Sequence, residues 1–132
     1  MKGKTYDLKK LADSGKFDTT VSTRFFYDTQ GYYDALTDFA ADFKSDFGNY
    51  TAAFVVNSDE DRKIFLGDCF EARAEFVRLG MTALMEALAV LEDAAIQKNT
   101  KEFSDGQVKF DATLRICVDI IRGAVMPWRM ST

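Results

Sequence analysis

Residues 65–95 read FLGDCFEARAEFVRLGMTALMEALAVLEDAA, and this stretch decides the fold. Phe65, Cys69, Ala72, Phe76 and Leu79 recur at spacings of four, three, four and three, which puts them on one buried stripe of a helix. Gly80 is a natural helix end, because glycine takes the left-handed backbone there at no steric cost. Leu84, Leu88, Leu91 and Ala95 restart the pattern almost at once, so two amphipathic helices follow each other through a very short connection. Such a connection implies antiparallel neighbours.

The same reading extends in both directions. Upstream, the cluster Asn57-Ser58-Asp59-Glu60-Asp61 supplies a turn, a cap and acidic first-turn side chains for the helix that carries Phe65. Before it, Asp28 or Thr29 can cap a helix striped by Leu36, Phe39, Phe43, Phe47 and Tyr50, with Gly48-Asn49 as a bend. Asp18 is the N-cap candidate for a short helix through Arg24, and a segment from Tyr6 to Leu11 opens the chain before a break at Ser14-Gly15. Downstream, Lys98-Asn99 makes a turn, and Phe110, Leu114, Cys117 and Ile121 stripe a last helix to Gly123. The expected architecture is all-α: an antiparallel four-helix bundle with a short N-terminal helical extension, residues 1–132 forming a single domain. The tail Met126-Pro127-Trp128 is expected to fold back on the bundle, since an exposed tryptophan is costly.

Composition agrees. The chain of 132 residues contains a single proline, Pro127, so the residue that most strongly interrupts helices is missing from everything before it. No apolar run is long enough to cross a bilayer. The opening MKGKTYDLKKLADSGK is polar with no secretory pattern, and the expected setting is cytoplasmic. Cys69 and Cys117 lie inside apolar helical patterns without a CxxC neighbour and read as small core residues, not as a disulfide or thiolate site. The formal net charge of −4 has the wrong sign for a phosphate-backbone binder, so nucleic acid is not an expected partner.

The chain has no histidine. Metal sites in helical bundles usually pair inward carboxylates with a histidine three residues on, so no metal and no cofactor is expected, and Glu71, Glu75, Glu86 and Glu92 read as solvated helix faces. Ser-His and Cys-His nucleophiles are excluded by the same absence. The glycines at 15, 31, 48, 67, 80 and 106 stand alone, outside any phosphate-cradling or dinucleotide motif, and read as turns or helix ends. The sequence therefore offers no positive sign of an enzyme.

A family resemblance rests on particular residues. Arg24-Phe25, Asp28, Tyr32, Leu36 and Phe39 are spaced as in the opening of bacterial histidine-phosphotransfer (Hpt) domains, where a short helix ends in Arg-Phe and the next begins Asp-xxx-Tyr-xxx-Leu-xx-Phe. Residues 69–84, CFEARAEFVRLGMTAL, are similar to the family's Ala-His-x-Leu-Lys-Gly segment, which precedes a Leu-Gly helix end by about ten residues. Aligned on Leu79-Gly80 and Leu84, Cys69 takes the small buried position and Phe70 the phosphorylated histidine, while Ala72, Arg73 and Ala74 stand where the family has leucine, lysine and glycine. LEDAAIQKN at 91–99 resembles the family's turn into its last helix, so the resemblance spans about residues 17–122.

The resemblance implies a degenerate Hpt domain. A phenylalanine ring has no nucleophile to accept a phosphoryl group, so phosphotransfer by this chain is not expected. What the family's docking surface would leave here is a partner-binding face centred on Phe70, with Leu66, Arg73 and Val77 on the same side of the helix and Lys63 and Ala74 nearby. Its implied partner is the receiver domain of a response regulator, or a histidine kinase. A helix with two adjacent apolar stripes can instead bury both in its own bundle, which would place Phe70 in the core. Arg73 has the same two readings, as a contact to an acidic pocket or as a solvated charge. The rival function is a structural or assembly bundle acting by homo-oligomerisation through its aromatic surface or its tail, a homodimer being the simplest form.

Overall fold

The computed structural model describes residues 4–42 and 51–126. Phe43, Phe47, Gly48, Asn49, Tyr50, Pro127 and Trp128 lie outside them, and with them the expected lower half of the first stripe, its bend and the tail.

The described residues are mostly helical and contain no strand. Seven helices follow in order: α1 (Leu8–Asp13), α2 (Val21–Arg24), α3 (Thr29–Asp42), α4 (Ala52–Asn57), α5 (Asp59–Leu79), α6 (Thr82–Ile96) and α7 (Thr100–Gly123). The last three pack in sequence, α5 on α6 and α6 on α7, while α3 lies against both α7 and α5. Among the described residues no helix is long and apolar enough to cross a membrane.

Local chemistry explains the helix ends. Asp28 accepts the Gly31 amide at 2.8 Å and so opens α3. Ser58 accepts the Asp61 amide and Asn99 the Glu102 amide, each satisfying a first-turn donor that has no partner within its own helix. Gly80 closes α5 with φ of 72°, and the Met81 amide returns to the Phe76 carbonyl at 2.9 Å. Asp18 behaves otherwise than as the cap of α2. Its carboxylate accepts from the Thr20 amide and hydroxyl in a tight turn, and the helix starts three residues later at Val21. The short α4 was not distinguished by periodicity. It ends one residue before α5, where Arg62 donates to the Val56 carbonyl at 2.7 Å and satisfies an acceptor left open by the helix end.

The core is where the stripes meet. Leu36 and Phe39 from α3, Phe65, Cys69, Phe76 and Leu79 from α5, Leu84, Leu88, Leu91 and Ala95 from α6, and Phe103, Phe110, Cys117 and Ile121 from α7 are buried together. Phe76 sits at the centre, its ring 6.3 Å from Phe39 and 6.1 Å from Phe110, and Phe65 meets Phe103 at 5.0 Å. Each such ring withdrawn from water contributes roughly 1.5–3 kcal/mol before packing is counted. Both cysteines are free and buried as expected, and burial pushes the Cys69 thiol up to about 12 and the Cys117 thiol up to about 11.

Gly106 departs from the expected turn or helix-end role. It is buried within α7, where a Cβ would come 3.1 Å from Leu91 Cδ2, so its lack of a side chain sets how closely α7 approaches α6. The segment before α3 passes over the α5–α6 turn, where the Asp18 amide donates to the Gly80 carbonyl and Val21 lies against Gly80. The two ends of the described chain also meet. The Asp7 amide donates to the Ala124 carbonyl and the Met126 amide to the Thr5 carbonyl, both at 2.8 Å, around a single antiparallel bridge between Tyr6 and Val125.

Candidate functional site

Helix α5 has two faces of opposite character. Phe65, Cys69, Phe76 and Leu79 point into the core, with Ala72 packed against it, and this inward stripe fixes the rotation of the helix. The opposite line, Lys63, Gly67, Phe70, Ala74 and Val77, is exposed along its whole length. Phe70 stands in the middle of it with 72 % of its surface open to solvent. The core-packing alternative for Phe70 is thereby removed: the apolar arc of α5 is not simply wide, since the second apolar residue on that side, Val77, is also 38 % exposed.

The ring is accessible because its neighbours along the stripe are small. Gly67 lies one turn before it, with nothing within 4 Å of where a Cβ would stand, and Ala74 lies one turn after. A partner surface can therefore descend on both sides of the ring. Lys63 ends the stripe with an exposed ammonium that has no ion pair among the described residues.

The remaining expected site residues lie on a shoulder beside this line. Leu66 is half-buried against the core and supports the face more than it presents a contact. Arg73 is held by an ion pair to Glu92 of α6, with 38 % and 17 % of the two side chains exposed. Neither sequence reading of Arg73 describes this, and Glu92 is correspondingly not a solvated carboxylate. Glu75 is likewise paired, with Arg78 at 2.9 Å, while Glu71 and Glu86 are exposed as expected.

Two contributors were not visible in the sequence. Gly67, expected as a turn or helix end, lies instead inside α5 beside Phe70. Of the aromatic run Phe25-Phe26-Tyr27 only Phe25 enters the family spacing, yet Phe25 is half-exposed and Tyr27 fully so, and the Arg78 guanidinium lies 5.0 Å over the Phe26 ring. That cation–π contact ties the turn before α3 to the end of the exposed α5 face where Val77 sits. Chemically the face offers an apolar knob, a flat small-residue surround and an ammonium. Among the described residues no group of three or more metal-ligating side chains comes together. Compared with protein-family models, with curated proteins and with solved structures, the chain matches none.

Proposed function

We infer that this protein is a docking module of phosphorelay signalling, an Hpt-like bundle that binds the receiver domain of a response regulator, or a histidine kinase, and modulates phosphotransfer without carrying phosphate. One observation carries the reading: the residue aligned with the family's acceptor histidine, Phe70, is an exposed aromatic on an unobstructed helix face. Exposing a phenylalanine this fully gains nothing for the isolated fold, whereas a ring of this kind at the centre of an interface is a typical binding anchor. Val77 and Ala74 extend the apolar contact, and Lys63 supplies a charge at its rim that suits an acidic partner surface.

The test is binding of the purified protein to a panel of receiver and kinase domains from its own genome, repeated with Phe70→Glu. Saturable binding to one of them, lost in the variant while the circular dichroism spectrum is unchanged, is the expected result. Incubation with the phosphorylated partner should leave no phosphoryl group on this chain. Absence of binding across the panel would overturn the reading.

A further inference from the structure

The outer side of α5 carries a symmetry centred on Gly67. Ile64 stands three residues before it and Phe70 three after, while Lys63 stands four before and Glu71 four after. All five residues are exposed, Ile64 at 56 % and Phe70 at 72 %. Steps of three and four keep side chains on one face of a helix, so the five form a single patch about 12 Å long. Neither Lys63 nor Glu71 has an ion pair among the described residues. Nothing lies within 4 Å of where a Cβ on Gly67 would stand, so the middle of the patch is open.

Reversed end for end, this patch is its own complement. Apolar answers apolar at three residues from the centre, and base answers acid at four. When a second α5 is laid antiparallel with the two-fold axis at the level of Gly67, Ile64 of each copy falls level with Phe70 of the other. Lys63 of each falls level with Glu71 of the other in the same arrangement, and both pairs form twice. All of these groups sit on one helix, so their spacing and order follow from residue number and a rise of about 1.5 Å per residue. Gly67 meets Gly67 at the centre, where the lack of side chains lets the backbones approach and lets Ile64 and Phe70 enclose the line of contact from both sides. A parallel pair would instead set Lys63 against Lys63 and Glu71 against Glu71.

We propose that a second copy of this chain packs antiparallel on α5 across Gly67, giving a symmetric homodimer that covers Phe70 and so masks the docking face. The masking rests on the docking function proposed above; the dimer does not. One helix face against its like buries less than the roughly 1,200 Å² of a standard interface, so the dimer is weak and separates on dilution. The concentration of the chain then sets how much of the Phe70 face is free for another partner.

Sedimentation velocity of the full chain from about 1 µM to about 1 mM should show the wild type passing from monomer to twice its mass. Lys63→Glu alone and Glu71→Lys alone should each weaken association about tenfold or more, because each sets like charges level with one another twice. A chain carrying both changes should dimerise as the wild type does, which a parallel pair could not do. Gly67→Cys should cross-link two copies under copper-phenanthroline oxidation. Ala74→Cys should not, since its two copies stand about 21 Å apart along the axis, and the native cysteines are buried. A wild type that stays monomeric throughout, a double exchange that fails to restore the dimer, or equal cross-linking at the two positions would each overturn the proposal. Receiver and kinase binding is measured separately on the same samples. A dimer with no binding across the panel overturns the docking function alone, and binding by a chain that never dimerises overturns the dimer alone.

Discussion

Asp18 and Gly80 touch through their backbones: the Asp18 amide donates to the Gly80 carbonyl at 2.7 Å, and a Cβ on Gly80 would stand 2.1 Å from the Asp18 carbonyl oxygen. Gly80 is thus required twice, once for its φ of 72° at the end of α5 and once for the chain that passes over it. Gly15 shares only the first requirement, with φ of 77° and open space around it. Gly80→Ala is expected to cost about 3 kcal/mol or more, against about 1 kcal/mol for Gly15→Ala, as read from urea unfolding midpoints. Equal losses would mean that the Asp18 contact yields easily.

Phe70 and Phe76 are six residues apart on one helix and should respond oppositely to truncation. Phe76→Ala empties the centre of the core and is expected to cost about 3–5 kcal/mol. Phe70→Ala removes a ring that lies mostly in water and should change stability by no more than about 0.5 kcal/mol. Thermal melts of the two variants decide this, and a large loss at Phe70 would show that the ring supports the fold.

The Arg73–Glu92 pair joins α5 to α6 at a partly shielded position. A double-mutant cycle with Arg73→Ala and Glu92→Ala should give a coupling of about 1 kcal/mol, falling with added salt. A coupling near zero would mean that the two side chains do not hold each other in solution.

Cys69 and Cys117 make stability fall at alkaline pH. Burial raises both thiols from the ordinary value of 9.0, to about 12 and about 11 respectively. The folded state therefore keeps its protons where the unfolded chain loses them. The full stability is present below pH 9 and is lost as the pH rises from 9 toward the folded values, by about 1.4 kcal/mol per pH unit per thiol. Urea unfolding between about pH 8 and pH 10 should show this slope in the wild type and a shallower one in Cys69→Ala with Cys117→Ala. Identical slopes would refute the account.

Tyr32 is buried in α3 and its hydroxyl donates to the Leu79 carbonyl at 3.0 Å, closing one of the acceptors that the end of α5 leaves open. Tyr32→Phe keeps the ring and should cost about 1 kcal/mol in chemical denaturation. An unchanged midpoint would mean that water replaces the hydroxyl.

Much of the helix framework was legible in the residues themselves, because its causes are local. Spacings of three and four decided which residues of α5, α6 and α7 turn inward, and Ser58, Asn99 and Gly80 act on amides and carbonyls within a turn of themselves. The absence of histidine decided, without any structure, which nucleophilic pairs are closed to this chain. Other features depend on contacts between segments far apart in the chain, which periodicity does not encode. It gives the phase of a helix but not how widely its neighbours cover it, so only the packing of α5 against α3 and α6 put Phe70 in water and Arg73 against Glu92. The approach of Asp18 to Gly80, the place of Gly106 against Leu91, and the meeting of Thr5 with Met126 join residues up to the full length of the described chain apart, and only the tertiary fold brings them within bonding distance.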